Sequence, residues 1–477
     1  MIKTKIVCTM GPVSRNEEVL RRMIGEGMNV ARLNFSHGDH AYHRETIELI
    51  KRVRSEMGVP LAILLDTKGP EIRLKNFEGG ETTLEEGALF TLTMREVEGN
   101  EKIVSLTYGK LIGQLSAGDI VLIDDGKVRL EVKERTETDA VCRILAGGKI
   151  SDHKGVNVPS IHLEMPYLSE QDRKDVLFGI ENDVDFIAAS FVRRRDDVVA
   201  LRKFIDYNGG HLIRIISKIE NAEGIENFDD ILENSDGIMV ARGDMGVEVE
   251  YYRLPGLQKR FIKKCYQAGK MVITATQMLE SMTTASNPTR AEITDVANAV
   301  FDGTSALMLS GETAMGKYPV RAVSVMAKIA EQAESDMFEI GGFDNTNYDL
   351  DATNRTNAVS DAACTMAKDL SAKAIIALTK FGETARKMSK FRPSEPVVAA
   401  TPEQKTFHQL ALSWGVYPVM AKYQSTSDAL FQHAIDCAKQ IDMVEDGDTV
   451  VIAAGIPLDM SGNTNILKVE TVGGYGR

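Results

Sequence analysis

Two short stretches carry the residues best suited to chemistry. In IRIISKIENAEGI, residues 213–225, Lys218 and Glu220 lie just past an apolar β run. Further on, GIMVARGD ends in Arg242, Gly243 and Asp244. A lysine with two carboxylates at strand ends can hold a divalent metal and a doubly charged phosphoryl group. Mg²⁺ takes oxygen ligands, accepts one or two carboxylates and leaves its other positions to water and substrate. The lysine would offset charge that grows during phosphoryl or enolate chemistry. The same residues would also serve as a buried Lys–Glu pair that only closes a layer of a barrel. The elements that position them must decide.

Those elements alternate. The runs KTKIVCT, NVARLNF and LAILLD are each apolar and β-like, and helical stretches separate them. Ser14 and Glu17 have the spacing of a capping box that opens the first helix. From Glu71 to about Ile161 the runs become short and alternating, which predicts an antiparallel β domain inserted into the first one. Asp125-Gly126 reads as a hairpin turn within it. After Pro166 come VDFIAASFV, LIRIISKIE, GIMVARGD, KMVITATQ and SALMLSGET, each followed by a helical stretch. Three runs before the insertion and five after it predict a (β/α)₈ barrel interrupted after its third strand. An open doubly wound sheet is the alternative, although no G-x-G-x-x-G follows the first strand. A polar stretch, GGFDNTNYDLDATNR, reads as a linker to a last α/β domain. The expected divisions are 1–69 and 168–345 for the barrel, 70–167 for the insertion and 346–477 for the C-terminal domain.

The 477 residues exceed what one core normally serves. A net charge of −13 argues against nucleic acid or an anionic membrane as a general partner. An anionic substrate would then need cations gathered in one cleft. Five scattered cysteines, an odd number, suggest reduced thiols in a cytoplasm. No signal-peptide pattern opens the chain, and no apolar run is long enough to cross a membrane.

In a barrel of this kind the C-terminal strand ends build the active site. Here they supply Arg32, Asn34, Ser36, His37, Asp66, Thr67, Lys68, Glu71, Arg73, Ser190, Lys218, Glu220, Asp244, Thr276, Ser310 and Glu312. NVARLNFSHG, LLDTKGPEIR, KGVNVP, SKIENAEGI, VARGDMGVE, ATQMLESM, NPTRAEITDVANAV and DGTSALMLSGETA, in that order, resemble the motifs of the pyruvate kinase family over essentially the whole chain. The resemblance implies phosphoryl transfer from phosphoenolpyruvate to ADP, giving pyruvate and ATP through a metal-stabilised enolate. It implies a barrel, an inserted β-barrel lid and a C-terminal α/β effector domain in a cytoplasmic homotetramer.

It also implies roles. Glu220 and Asp244 match the ligands of Mg²⁺ or Mn²⁺, and Lys218 the phosphoryl-transfer lysine. Arg32 and Arg73 match residues that grip phosphate with a guanidinium fork. Asn34, Ser36, Asp66 and Thr67 match a K⁺ site, though hydrogen bonding between two neighbouring strand ends would explain the same four. Glu71 goes with dependence on K⁺ in the family. Thr276 matches the residue near the protonated face of the enolate, acting through water and Ser310, with Glu312 tuning the relay. Ala241, Arg242 and Gly243 resemble the segment that receives the substrate carboxylate through backbone N–H groups. Asn34, His37, Arg73 and Lys154 resemble contacts on the nucleotide side. In the C-terminal domain Thr379, Gly382 and Thr384 sit where relatives bind a phosphorylated allosteric effector. Phe381 and Glu383 weaken that match, and the loop from Ala454 to Asn465 could complete the site. The chain is also expected to lack the extra C-terminal domain of some bacterial relatives.

Overall fold

The computed structural model describes residues 2–159, 161–339, 343, 355–455 and 464–474. Apart from Phe343 and Arg355, the expected linker lies outside them.

Eight strands close a parallel barrel: Lys5–Thr9, Met28–Asn34, Ala62–Asp66, Phe186–Ala189, Arg214–Ile219, Gly237–Ala241, Met271–Ala275 and Ala306–Leu309. Each pairs with its sequence neighbours, and the first pairs with the eighth from Lys5↔Ala306 to Cys8↔Leu309. Buried on both faces, such strands read as continuous apolar runs, which is how the sequence shows them. Val7, Val30, Leu64, Phe186, Ile216, Met239, Ile273 and Met308 fill the interior. Two further residues join that interior from far along the chain, Ala411 and Leu412. They belong to the C-terminal domain and stop the floor of the barrel.

The first helix, Glu17–Gly25, is capped by Asn16, whose side chain accepts from the Val19 N–H. The Ser14 box is not formed, because Ser14 Oγ accepts from the Gly11 N–H at 2.9 Å and serves the turn instead.

The inserted segment forms a seven-stranded sheet and a two-stranded ribbon. It is not wholly antiparallel: Leu89–Thr93 runs parallel to Ile103–Ser105. The sheet's two edges meet through an antiparallel bridge between Leu74 and Leu106, so it curls shut. Asp124, Asp125 and Gly126 in its hairpin all take left-handed φ.

The C-terminal domain is a five-stranded sheet, parallel except for its last strand, Ile466–Thr471. It docks under the barrel by polar contacts. Lys405 reaches the carbonyl of Val184 at 2.6 Å, and Gln409 donates to the carbonyls of Leu212 (2.7 Å) and Asp185 (3.1 Å).

Candidate active site

The fifth strand delivers Lys218 and Glu220 to the rim. Alternation along a strand would put both on one face, and they do meet: Lys218 Nζ is 2.9 Å from Glu220 Oε1. It is also 3.0 Å from Asp66 Oδ1 and 2.8 Å from Ser190 Oγ. Burial opposes its charge, but Asp66 and Glu220 outweigh burial and hold its pKa above the ordinary value. Asp66, at the end of the third strand, also receives Arg32 Nε at 2.6 Å. Burial would raise its pKa, yet Lys218 and Arg32 bring it below the ordinary range. Arg32 in turn donates to Thr9 Oγ1 at 2.9 Å.

Glu220 behaves differently. Burial pushes it up to about 7, against the pull of Lys218 and with the neighbouring charge of Asp244. Its Oε2 accepts from the Phe191 N–H at 2.6 Å. Its Oε1 has the Lys218 charge beside it but no donor in hydrogen-bonding geometry. Asp244 opens the helix Arg242–Glu248 within hydrogen-bonding reach of Glu220, and burial raises its pKa too. Two adjacent carboxylates, Glu220 buried and Asp244 half-buried at the cleft, suit a divalent cation. Among the described residues no cluster of three or more His, Cys, Asp or Glu offers a fuller cage.

The seventh strand ends in strain. Thr276 has φ +70° and Gln277 φ +54°. A left-handed β-branched residue costs of order 1–3 kcal/mol and persists only where its surroundings enforce it. Arg242 does so, donating to the carbonyls of Thr276 (2.6 Å) and Ala275 (3.2 Å) while Asp295 holds it at 2.7 Å. The Arg242 guanidinium is thus committed to this strand end, which leaves its backbone for a ligand. Thr276 Oγ1 accepts from the Gly243 N–H at 2.8 Å. Ser310 is not hydrogen-bonded to Thr276; its N–H goes to Glu312 Oε2 at 2.7 Å, and Glu312 also accepts from the Leu279 N–H. Burial raises the Glu312 pKa.

The four residues assigned to K⁺ lie at two paired strand ends, where Asn34 sits opposite Asp66. Asn34 Oδ1 accepts from the Ser36 N–H at 3.1 Å, and the Thr67 carbonyl accepts from Ser190 Oγ at 2.6 Å. Ser36 and His37 are exposed, and the His37 carbonyl accepts from His43. Gly69, with φ +77°, lets the chain pass: a Cβ there would lie 2.8 Å from that of Ser190.

Above the barrel, a cleft of about 580 Å³ is lined by Glu71, Arg73, Asp125, Lys154, Phe191 and Asp244, among others. Arg73 belongs to the lid strand Ile72–Arg73, paired with Gly155. Glu71 (2.7 Å) and the His153 carbonyl (2.8 Å) hold its guanidinium. Lys154 is paired with Asp124 at 2.8 Å, so it remains on the lid. Asn157 of the lid donates to Glu248 of the barrel at 2.9 Å.

Sequence reasoning placed Ser190 at a strand end without its contacts and missed two further supports: Phe191 takes a left-handed φ of +53° that no residue type signals, and Asp295 is distant in sequence. At the expected effector site, Thr379 Oγ1 accepts from the Gly382 N–H at 2.9 Å, and the hydroxyls of Thr384 and Thr464 lie 2.6 Å apart. Residues 456–463 of the completing loop lie outside the described residues.

A family model for the pyruvate kinase barrel domain matches residues 1–323, and one for the pyruvate kinase alpha/beta domain matches 357–470. The chain belongs to the pyruvate kinase family. It is 47% identical to a pyruvate kinase of Clostridium acetobutylicum, with 99% of this chain and 100% of that protein aligned. It is 46% identical to one of Sporosarcina psychrophila, covering 99% of this chain and 81% of the relative. A crystal structure of a pyruvate kinase from Cryptosporidium parvum superposes with a TM-score of 0.91 at 38% identity, covering 98% and 96% of the two chains. The chain is therefore an enzyme that transfers the phosphoryl group of phosphoenolpyruvate to ADP. Contrary to the expectation of a chain without an extra C-terminal domain, an alpha/beta domain with its own family model follows the barrel. No helix among the described residues is long and apolar enough to cross a membrane.

Proposed function

We propose that phosphoryl transfer in this enzyme runs across the Lys218, Glu220 and Asp244 cluster. The observation that carries the assignment is Lys218 Nζ, buried and held charged between Asp66 and Glu220 at the rim. Glu220 and Asp244 would hold Mg²⁺ or Mn²⁺, which supplies Lewis-acid charge to the substrate oxygens when bound. Arg32 and Arg73 grip the phosphate. Lys218 stabilises the transferring group and the oxygen left behind, and such a preorganised charge is worth about 10²–10³ in rate. The backbone from Ala241 to Asp244 receives the substrate carboxylate, with Thr276 Oγ1 ready to release the Gly243 N–H. Thr276, through water and Ser310, delivers the proton that completes pyruvate. Asn34, His37, Arg73 and Lys154 face the nucleotide. Lys154 must leave Asp124 to do so.

Asn34, Ser36, Asp66 and Thr67 provide amide, hydroxyl, carbonyl and one carboxylate oxygen, a donor set that suits weakly hydrated K⁺. Thr379, Gly382 and Thr384 would take a phosphorylated effector, and the enzyme would act as a cytoplasmic homotetramer. The domain limits 1–69, 70–167, 168–345 and 346–477 complete the proposal. Pyruvate formation from phosphoenolpyruvate and ADP, with Mg²⁺ and with or without K⁺, tests it. Turnover only with both ions is expected; full turnover in K⁺-free buffer overturns the monovalent site.

A further inference from the structure

Ser190 is buried at the end of the fourth strand and carries no role in the assignment above. Every polar atom it has is engaged. Its N–H donates to Thr67 Oγ1 at 3.2 Å, and its carbonyl accepts from Tyr167 at 3.1 Å. Its hydroxyl oxygen accepts from Lys218 Nζ at 2.8 Å. Two acceptors compete for the single hydroxyl proton, the Thr67 carbonyl at 2.6 Å and Asp66 Oδ1 at 3.1 Å. A hydroxyl has one donor and rotates to suit its surroundings, so only one can be satisfied at a time.

We infer that Ser190 is a positioning residue that links the monovalent-cation site to Lys218 through a two-position hydroxyl. This rests on the proposed K⁺ site. With the Thr67 carbonyl free, the shorter contact wins and the proton points there. A cation drawing on the Thr67 oxygens repels the O–H dipole, and the hydroxyl turns to Asp66 Oδ1. Asp66 is then partly satisfied by Ser190, its hold on Lys218 slackens, and Nζ is freer to follow the transferring group. The cation would thus act on Lys218 without touching it.

The test is Ser190→Ala in the intact enzyme, which removes one oxygen from a tightly packed position. A hydrogen bond to a charged group is worth enough to lower kcat about 10–100-fold. The K⁺ concentration for half-activation should fall several-fold, because the cation no longer has to displace the hydroxyl from the Thr67 carbonyl, while KM for phosphoenolpyruvate stays within about twofold. Independently of turnover, the rise in thermal midpoint on exchanging tetramethylammonium for K⁺ should grow. Ser190→Cys, with a weak donor in place, should fall between the two. If the wild type needs K⁺ and Ser190→Ala keeps its half-activation and its K⁺-dependent midpoint shift, the coupling is wrong and the K⁺ site stands. If the wild type turns over equally without K⁺, both the site and the coupling fail.

Discussion

Lys218→Met keeps the length of the side chain and removes its charge. Two ion pairs at 3.0 and 2.9 Å and a hydrogen bond at 2.8 Å are lost together. At an effective dielectric near 20, each pair is an attraction of about 5 kcal/mol, much of it offset by desolvation. Removing one partner of a buried pair exposes that desolvation cost, so the variant should lose about 3–5 kcal/mol of stability at pH 8. The deficit should shrink at lower pH. Burial already holds Glu220 at about 7 against an ordinary 4.5, and losing Lys218 raises it further. An acid whose folded pKa is raised contributes stability that is full below its unfolded pKa and lost as pH rises through the folded one. Urea denaturation at pH 6 and pH 8 reads the difference, and steady-state turnover should fall at least about 10²–10³. Adding Glu220→Gln to the variant should restore part of the stability at pH 8 and none of the rate, because Asp66 keeps Arg32 as its partner whereas Glu220 is left without a cation. Equal destabilisation at both pH values, or turnover within about tenfold of wild type, would refute the reasoning.

Three further outcomes are expected. Arg242→Leu releases the carbonyls that keep Thr276 left-handed; kcat should fall at least about tenfold, while Mn²⁺ binding followed by electron paramagnetic resonance stays near wild type. Leu412→Ala opens a cavity at the barrel floor and should cost about 2–5 kcal/mol in urea denaturation, though the residue lies in the other domain. Glu71→Lys should reduce the stimulation of turnover by K⁺ over tetramethylammonium; unchanged stimulation would separate Glu71 from the monovalent site.

The rim was legible where chemistry and strand ends coincide. Lys218 sits at the end of a buried run, Glu220 directly after it and Asp244 a short step past the next, and the residue types alone restrict what they can do. The barrel order followed from eight apolar runs because parallel strands buried on both faces leave that trace. What packing alone decides was not legible. Asn16 and Ser14 are both good caps, and the choice fell to whichever side chain the Gly11 turn did not need. LAL at 410–412 looks like any apolar helix end, yet it completes the core of a distant barrel. Arg242 was expected to serve through its backbone N–H, and the loop geometry that turns its side chain toward Asp295 has no local signature. The lid's closing bridge joins residues 32 positions apart, beyond the reach of any periodicity.

The two arginines assigned to the phosphate stand on different bodies. Arg32 rises from the second strand of the barrel, whereas Arg73 is part of the lid's own sheet, paired with Gly155. Any swing of the lid carries one half of the grip away from the other. Opening the cleft and loosening the anion are therefore a single movement, and neither can be adjusted alone. On that assignment, a stiffer hinge would hold substrate longer and would also retain product, so affinity and release could not be tuned separately.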